Sequence, residues 1–194
     1  GLGHATSNRG ADHLYALPCI VYDYAWDKAN RYLKIPPEEK DKFTDTTVED
    51  YKALAVAFSE NYAAISDAMG VCKFFTVETF AYDTEDLSRV YYHVTGINLD
   101  VNELLTVGER IVNMERLYNI RSGIIKQDNL PARFVKEELE LPSGKKSKVN
   151  LEKMLLEYYQ IRGWTEEGIP KDETIARLGL NQEFKLHEII EIID

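Results

Sequence analysis

Apolar residues recur at intervals of three and four positions along most of the chain, the spacing that places side chains on one face of an α-helix. The longest such pattern follows Thr46 and Thr47, which stand at capping-box spacing before Glu49 and Asp50. Its apolar positions are Val48, Tyr51, Leu54, Ala55, Phe58, Tyr62, Ile65 and Met69. Gly70 follows directly and suits the left-handed conformation that ends many helices, so the sequence predicts one long helix that stops there.

Similar start and stop signals predict further helices along the rest of the chain. They run from Thr84 to Gly96, from Asp100 to near Gly123, from Leu151 to Gly163, from Asp172 to Gly179, and through Phe184 to Ile193. No segment alternates apolar and polar residues for long enough to predict a substantial strand. The predicted fold class is therefore all-α and multihelical, with at most a small pair of strands.

Three segments carry the composition of loops instead. Residues 1–10 are rich in glycine and small polar residues, which predicts a loop with exposed backbone amides that enters a helix near Asp12. The segment from Trp26 to Asp45 is charged and contains Pro36 and Pro37, which predicts a surface excursion. Residues 127–147 hold two prolines and a cluster of lysine, glycine and serine, which predicts an irregular connection.

The composition of the 194 residues excludes several classes of protein. A content of 44% hydrophobic and 29% charged residues is typical of a folded globular chain and not of a disordered one. The 33 acidic and 23 basic residues give a net charge of -10, which repels phosphate backbones and argues against nucleic-acid binding. No stretch approaches the roughly 18 apolar residues that a bilayer-spanning helix needs. We therefore expect no nucleic-acid partner and no membrane.

The cysteines and the first residue bear on the setting of the protein. Cys19 and Cys72 stand far apart, unlike the even, closely spaced sets of secreted disulfide proteins, so the sequence predicts a reducing, cytoplasmic compartment. The chain begins at Gly1, with neither an initiator methionine nor a signal-peptide pattern. We therefore expect it to be part of a longer protein.

Two candidate residues lie at the end of the long predicted helix. Asp67 stands in the last turn, where the carbonyl end of the helix dipole disfavours a carboxylate. An ionised Asp only accepts hydrogen bonds and Gly70 lets backbone come close, so this segment could bind an amino-substituted heterocycle, although a solvated acid is the simpler alternative. Cys72 follows with free neighbouring amides that favour a thiolate or a cluster sulfur, or it is a small buried hydrophobe.

Further candidates lie in the first part of the chain. His13 could shuttle protons near neutral pH, or its ring could simply be satisfied by a loop carbonyl. Arg9 could bind a phosphate or a carboxylate, or form an ion pair at the edge of a helix. Cys19 lies in an apolar run and is predicted to belong to the core. The chain has no C-x-x-C pair and its histidines are scattered, so spacing predicts no metal site made by this chain alone; they are His4, His13, His93 and His187.

Five segments, taken together, carry a resemblance. They are Ala5-Thr-Ser-Asn-Arg-Gly10 with His13-Leu14, then Asp67-x-x-Gly-Val-Cys72, Gly108-Glu-Arg-Ile-Val-Asn-Met-Glu-Arg-Leu-Tyr-Asn-Ile-Arg121, Asp128-x-Leu-Pro-x-Arg-Phe134 and Glu157-Tyr-Tyr-x-x-Arg-Gly-Trp164. In order and spacing they resemble the C-terminal part of the tungsten-dependent aldehyde ferredoxin oxidoreductase family. The resemblance covers most of the chain and is weakest between Cys19 and Asp45.

This resemblance implies two adjoining helical subdomains that pack on an N-terminal sheet domain, so that the chain is a fragment of a larger enzyme. Residues 1–80 would be a partial cofactor-facing helical domain and residues 81–194 the C-terminal helical domain. The implied cofactors are tungsten held by two pterin dithiolenes, called tungstopterin, and an adjacent 4Fe-4S cluster. The implied reaction oxidises an aldehyde with water to a carboxylic acid, with two electrons leaving through the cluster to ferredoxin.

The resemblance also assigns residues of the long helix and its turn. Cys72 matches the cluster ligand that lies apart from the other three and against a pterin. Asp67 matches the carboxylate that holds pterin ring nitrogens, with Val71 and Lys73 offering backbone contacts. Val71 replaces the leucine that is usual in this motif, a change that should not affect a main-chain contact.

Arg9 matches a pterin-side position, and His13 matches the histidine beside the metal that is proposed to move protons. The Cys-x-x-Cys-x-x-x-Cys run for the other three cluster ligands is missing from this sequence, as are the pterin-binding N-terminal domain, the second Asp-x-x-Gly-Leu-Asp motif and the glutamate near tungsten. A cluster bound at one thiolate lacks the ligands it needs, so we expect the fragment alone to be inactive. It would act with the remainder of the same polypeptide.

Two functions from different classes stay open on the sequence. The first is the C-terminal fragment of a tungstopterin oxidoreductase with an aldehyde substrate. The second is a helical interaction or assembly module that has lost the cofactor and binds partners through its acidic face. Only the first requires a cysteine run before Gly1. A homo-oligomer is compatible with both, and the sequence leaves open which aldehyde is used and whether tungsten or molybdenum is bound.

Overall fold

The computed structural model describes residues 1–124 and 128–181, which are mainly helical. Their α-helices are α1 (Leu2–Thr6), α2 (His13–Ala16), α3 (Trp26–Leu33), α4 (Lys40–Thr44), α5 (Lys52–Ala68), α6 (Thr84–Thr95), α7 (Val101–Arg121), α8 (Ala132–Lys136), α9 (Leu151–Arg162) and α10 (Asp172–Arg177). Short 3-10 turns at Cys19–Val21, Asp23–Ala25 and Pro37–Glu39 and a π-helical turn at Phe74–Glu78 join them. The predicted all-α fold is confirmed.

The small pair of strands that the sequence allowed lies in the connection after α8. Strand β1 (Leu139–Glu140) pairs antiparallel with β2 (Lys146–Ser147), with Leu139 opposite Ser147 and Glu140 opposite Lys146. Each strand is only two residues long. The hairpin is therefore a local feature on a helical framework.

Helix α5 is the centre of the fold because side chains on most of its surface are buried. Helices α7, α9 and α2 pack against it. One group of buried apolar side chains on α5 and its neighbours includes Phe43, Phe58, Tyr62 and Phe80, and another includes Val56, Met154, Tyr158 and Trp164. Burial of these large side chains is the main source of stability in such a bundle.

Helices α5 and α7 come into direct backbone contact at Gly108. A β-carbon built on Gly108 would lie 2.2 Å from the carbonyl oxygen of Asn61. Any other residue would push the two helices apart, because a real β-carbon does not approach an oxygen that closely. Gly108 therefore faces α5, and this close contact explains why a residue with poor helix propensity stands inside a long helix.

A buried ion pair fixes α9 against α5. Arg162 Nη2 lies 2.5 Å from Glu60 Oε2, and the two side chains are 2% and 0% exposed. Glu60 also accepts hydrogen bonds from Thr6 Oγ1 at 2.9 Å and Tyr158 OH at 2.5 Å, while Arg162 donates to Asn61 Oδ1. Burial raises the pKa of the Glu60 carboxyl, an effect that the guanidinium and the hydroxyl donors oppose. Such burial is tolerated only because each charge is surrounded by partners.

The segment between α1 and α2 is held to α7 by hydrogen bonds from distant parts of the chain. Asn8 Nδ2 donates to Tyr15 OH at 2.9 Å and to the Val112 carbonyl at 3.0 Å. Asn119 Nδ2 donates to the Asn8 carbonyl at 2.7 Å, and Tyr15 OH donates to Glu115 Oε2 at 2.6 Å. Helix α7 therefore helps to fix the position of α2, which also packs on α5.

Helix starts agree in part with the sequence prediction. The Asp100 carboxylate accepts from the Glu103 N–H and the Glu103 carboxylate from the Asp100 N–H, both at 2.8 Å, so the predicted start of α7 is confirmed. Helix α6 is capped by Asp83 and not by Thr84. Asp83 forms a capping box with Asp86, because a carboxylate reaches the free N–H groups from one residue earlier.

The long predicted helix begins later than expected and ends where expected. Its first residue is Lys52, and Tyr51 before it has a left-handed φ of 63°. The capping box predicted near Thr47 does not form, because the Thr47 N–H and hydroxyl both donate to Asp45 Oδ1, at 2.8 and 2.6 Å. The stop at Gly70, with φ of 68°, is confirmed.

Two segments predicted as loops contribute ordered structure. Part of residues 1–10 forms α1. The segment from Trp26 to Asp45 contains α3 and α4, and it buries four apolar side chains in the core, Trp26, Ala29, Ile35 and Phe43. The prediction of a surface excursion is therefore wrong. It followed the many charged residues and the prolines of this segment, whereas a few apolar side chains are enough to anchor it in the core.

The predicted division of the chain after residue 80 stays a prediction. Helix α5, before that point, packs directly on α7 and α9, which follow it. The helix predicted through Phe184 to Ile193 lies outside the described residues. None of the helices within residues 1–124 and 128–181 is long and apolar enough to span a membrane.

Candidate functional site

Lys73 connects the two parts of the predicted site. Its ammonium nitrogen lies 2.7 Å from Asp67 Oδ2 and donates a 3.0 Å hydrogen bond to the carbonyl oxygen of Leu14. The Lys73 side chain is only 15% exposed. Because Leu14 follows His13 in α2, this contact holds the predicted proton carrier beside the turn that ends α5. The structure thereby brings together residues from opposite ends of the first 73 positions.

The turn from Asp67 to Cys72 closes α5 in an orderly way. The Gly70 N–H donates to the Asp67 carbonyl at 3.1 Å, and the Val71 N–H donates to the Ser66 carbonyl at 3.0 Å. This is the pattern of a glycine-terminated helix, which satisfies the last carbonyls. The N–H of Val71 is consequently engaged, so a backbone contact from this residue to a ligand would use its carbonyl oxygen.

The chemical groups of the turn face outward. Cys72 is exposed, and the Asp67 side chain is 52% exposed. The Cys72 carbonyl accepts from the N–H groups of Phe75 and Thr76, whereas no acceptor within residues 1–124 and 128–181 faces the N–H of Cys72 or Lys73. An acceptor, a thiol and two free donors thus lie on one open turn.

The position of Asp67 at a helix C-terminus has a structural explanation. The negative end of the α5 dipole disfavours its carboxylate, and the ammonium of Lys73 offsets this by direct contact. Such a half-exposed pair contributes little to stability. Asp67 is therefore a half-exposed acid with one paired oxygen. Its other oxygen, Oδ1, which we call the outer oxygen, can accept a hydrogen bond from a second donor.

His13 is exposed at the start of α2, where Asp12 is the cap and accepts the Leu14 N–H at 2.8 Å. Its ring stacks on that of His4, with centroids 6.0 Å apart and an angle of 20° between the planes. Burial lowers the pKa of His4, and the nearness of His13 adds to the shift. The sequence does not predict His4 as a site residue, because only the packing of α1 on α2 brings the two histidines together.

His13 and His4 line a cleft of about 330 Å³ between α1, α2, α5 and the segment after β2. Cys19 also lines it. The Cys19 side chain is half-buried, and burial raises the pKa of its thiol. Cys19 therefore borders a cleft and is less buried than the predicted core position.

Arg9 lies on a different cleft, of about 540 Å³, between its own loop and α7. Its guanidinium forms a 2.9 Å ion pair with Asp12 and lies 5.4 Å from the centre of the Tyr15 ring. The side chain remains 47% exposed. The ion pair that the sequence offered as the simpler alternative is present, and it leaves other donors of the guanidinium facing solvent.

Aromatic side chains are exposed beside the turn. We call them the aromatic surface; they are Tyr22, Tyr24, Phe74, Phe75 and Tyr82, each between 49% and 63% exposed. The rings of Tyr22 and Tyr24 stack. The Tyr24 hydroxyl donates to the Glu78 carbonyl, in the π-helical turn that carries Phe74 and Phe75, and the Tyr82 N–H donates to the Phe75 carbonyl. Clustered exposed aromatic area of this kind marks an interaction surface.

The donor set fits a cofactor that is shared with another part of a polypeptide. No group of three or more His, Cys, Asp and Glu side chains is placed to hold a metal ion in the part of the chain that the structure describes. An iron–sulfur cluster takes several thiolates, of which Cys72 could supply one from its exposed position. The open turn around Gly70, where an added β-carbon would meet nothing within 4 Å, leaves room for a flat ligand.

The sequence of this multihelical chain matches a family of oxidoreductases. Residues 1–180 match the family model described as aldehyde ferredoxin oxidoreductase, domains 2 and 3. The chain belongs to this family.

Curated relatives carry the same family name. The chain is 33% identical over 186 residues to a tungsten-containing aldehyde ferredoxin oxidoreductase of Pyrococcus horikoshii, covering 94% of this chain and 28% of the relative. It is 34% identical over 185 residues to that of Pyrococcus furiosus, covering 93% and 27%. A more distant relative, at 27% identity over 131 residues, is the WOR-like subunit of an aliphatic sulfonate oxidoreductase of Pyrococcus furiosus, covering 61% of this chain and 20% of the relative. The chain thus spans about 28% of the length of the first of these.

A solved structure shares the fold. The active-site complex BamBC of benzoyl coenzyme A reductase, in complex with 1,5-dienoyl-CoA, matches with a TM-score of 0.61 and 22% sequence identity. The match covers 87% of this chain and 26% of that chain. At this identity the likeness shows the fold alone.

Proposed function

We propose that this chain is the C-terminal, cofactor-facing part of an aldehyde:ferredoxin oxidoreductase, which oxidises an aldehyde with water to a carboxylic acid and passes two electrons to ferredoxin. The contact of Lys73 with Asp67 and Leu14 carries the proposal, because it joins the acid-and-thiol turn to the helix of His13. The family match over residues 1–180 and the tungsten-containing relatives support it. Activity would belong to the whole polypeptide, and the chain alone would be inactive.

Tungstopterin and a 4Fe-4S cluster would be held jointly with the remainder of the polypeptide. The outer oxygen of Asp67 would accept a hydrogen bond from a pterin N–H, and Cys72 would supply one thiolate to the cluster. The free N–H of Lys73 and the carbonyl of Val71 would add main-chain contacts. When bound, the tungsten centre supplies the two-electron redox chemistry, and the protein positions the reactants around it.

His13 would move a proton during turnover. Its imidazole is exposed and can serve as a general acid or base, the role that histidine takes most often in enzymes. Its place in the cleft would let it act on a substrate or water oxygen. Arg9 would face the pterin through the donors that its ion pair with Asp12 leaves open.

The remaining parts of the proposal concern assembly and setting. The aromatic surface would be covered by the preceding part of the polypeptide, since so much exposed aromatic area is costly in water. Residues 1–80 would then form the cofactor-facing domain and residues 81–194 the C-terminal domain. Cytoplasmic location, an anaerobic host and a homo-oligomeric assembly belong to the same proposal.

The cofactor assignment is tested by metal content in the full-length protein. Asp67→Asn keeps the shape of the side chain but replaces an acceptor oxygen by a donor amide, so tungsten occupancy should fall while stability stays nearly unchanged. Asp41→Asn, an exposed acid in α4, is the matched control and should leave occupancy intact. A full-length wild type without tungsten or iron would favour the helical interaction module instead.

The role of His13 is tested by two substitutions in the full-length protein. His13→Ala should retain the cofactors and lower kcat by roughly 10² to 10⁴, the range typical of a lost general acid or base. His13→Asn can still hydrogen-bond but cannot titrate near neutral pH, so it should be as impaired as the alanine variant. His93→Ala, in α6, is the control. Near wild-type turnover of both His13 variants between about pH 6 and 9 would show that His13 is structural.

A further inference from the structure

Helix α2, which carries His13, is too short to hold its own shape. It has only four residues, His13–Ala16, and an isolated helix of this length is not stable in water. Leu17, directly after it, has a left-handed φ of 43°, so the helix ends there. The direction of the His13 side chain therefore depends on the contacts that α2 makes with other elements.

Tyr15 makes a buried contact that ties α2 to α7. Tyr15 is 6% exposed, and its hydroxyl donates to Glu115 Oε2 at 2.6 Å and accepts from Asn8 Nδ2 at 2.9 Å. Burial raises the pKa of Tyr15 well above its ordinary value of about 10, and the nearby carboxylates of Glu60 and Glu115 add to the shift. The phenol consequently stays protonated near neutral pH and continues to donate to Glu115.

Tyr15 and His13 lie on opposite sides of α2. Successive residues of an α-helix are rotated by about 100°, so two positions correspond to about 200°. Accordingly, Tyr15 faces α7, whereas His13 is exposed, lines the cleft and stacks on His4. A hydrogen bond that fixes the buried side of so short a helix also fixes the direction of its other side.

We propose that Tyr15 is a positioning residue, which through its hydrogen bond to Glu115 holds the His13 imidazole in the orientation needed for proton transfer. The inference rests on the proposed function, because that function gives His13 a proton to move. Glu115 belongs to a helix of 21 residues that has a capping box at its start and packs on α5. Such an element suits the support of a catalytic group, since a displacement of about 1 Å can lower a rate by about 10²-fold.

Hydrogen exchange in the full-length protein tests the anchor without turnover. Tyr15→Phe keeps the ring and removes the hydroxyl, so the N–H groups of α2 should exchange several-fold faster than in the wild type. Glu115→Gln keeps an acceptor oxygen and should exchange at close to the wild-type rate. Glu115→Ala breaks the same bond and takes the place of Tyr15→Phe if that variant fails to fold. Tyr92→Phe, which removes a hydroxyl from an exposed residue of α6, is the control. Unchanged exchange in α2 after loss of the bond would overturn the proposal.

The kinetics of a double variant separate positioning from general stabilisation. Tyr15→Phe should lower kcat by roughly 10- to 100-fold at unchanged tungsten occupancy and leave KM nearly unchanged. In a His13→Ala background the same change should have almost no further effect on kcat, because a positioning residue acts only through the group that it positions. Equal losses in both backgrounds would mean that Tyr15 has a general structural role and would sink the proposal.

The two proposals fail in different ways. Aldehyde oxidation by the wild type, together with equal losses in the two backgrounds, leaves the proposed function standing and refutes the role of Tyr15. A wild type that holds its cofactors but oxidises no aldehyde refutes the proposed function. The exchange rates of α2 then still decide whether Tyr15 anchors that helix.

Discussion

Replacing Arg162 by methionine removes one half of the buried ion pair between α9 and α5 and leaves the other half in place. Glu60 is fully buried and would keep only the hydrogen bonds from Thr6 and Tyr158. Asn61 Oδ1 and the Ala57 carbonyl would lose a donor as well, since Arg162 bonds to both. The variant therefore tests what an uncompensated carboxylate costs at the centre of the fold.

The expected loss is large. Removing one partner of a buried pair typically destabilises a protein by about 3–5 kcal/mol, because the remaining charge stays desolvated. A domain of this kind has a total free energy of unfolding of only about 5–15 kcal/mol. Arg162→Met should consequently lose at least about a fifth of its free energy of unfolding near pH 7, and in the extreme case it fails to fold there.

The loss should shrink as the pH falls. Without Arg162, burial is opposed only by the hydrogen bonds from Thr6 and Tyr158, and it raises the pKa of Glu60 further above its unfolded value of about 4.3. A carboxyl with a raised pKa in the folded state is most stable below the unfolded value and loses stability as pH rises toward the folded one. Between the folded-state pKa of Glu60 in the wild type and the higher one in the variant, the variant should lose up to about 1.4 kcal/mol per pH unit relative to wild type.

Urea unfolding of both proteins at several pH values between about 4.5 and 8 measures this difference. Glu60→Gln is the matched control: it strands the guanidinium of Arg162, which stays charged throughout, so its loss should not diminish at low pH. A loss under about 1 kcal/mol at pH 7 for Arg162→Met, or one that is the same at every pH, would refute the reasoning.

Three further changes test other contacts by urea unfolding and hydrogen exchange. Gly108→Ala should destabilise the chain by about 1–3 kcal/mol, because its β-carbon would meet the Asn61 carbonyl and separate α5 from α7; a value near zero would contradict that close approach. Asp83→Ala removes the capping box of α6 and should cost about 1–2 kcal/mol, with faster amide exchange confined to the first turn of α6. Lys73→Met should cost under about 1 kcal/mol yet accelerate amide exchange at the Asp67–Cys72 turn, since it breaks the bond to Leu14; an unchanged turn would show that Lys73 does not hold it.

Capping residues and glycines near in sequence were sufficient to predict where helices end and where some of them begin. The Asp100 and Glu103 box and the stop at Gly70 follow from neighbouring residues, so the sequence carries them visibly. The start of α5 was misplaced because Asp45 competes for Thr47, a local turn that imitates a helix cap. The segment from Trp26 to Asp45 was wrongly predicted to lie on the surface. Burial of its apolar side chains depends on the elements that pack against them, and the average polarity of the segment does not reveal this.

The residues of the candidate site stay predictions from the sequence, whereas their contacts with one another are seen only in the structure. Asp67 was conspicuous because it opposes the helix dipole, and the structure supplies the compensating group, the side chain of Lys73. The resemblance had assigned Lys73 only a main-chain contact. Two contacts depend on the tertiary fold: the stacking of His4 on His13 and the ion pair of Glu60 with Arg162. Neither contact can be predicted from the spacing of these residues in the sequence.

The hydrogen bonds that hold α2 and α5 have a consequence for the order of events during synthesis. Tyr15 cannot form its hydrogen bond until Glu115, 100 positions later, has been synthesised. Glu60 likewise lacks its ion-pair partner until Arg162, 102 positions later, has been synthesised. At ordinary ribosomal rates this delay is on the order of ten seconds, during which the early helices lack their permanent partners. The turn that carries Cys72 is therefore synthesised before the residues that fix α2 and α5 to their later partners. A stalled or truncated product that lacks Glu115 and Arg162 would present this turn on helices that are not yet fixed to α7 and α9.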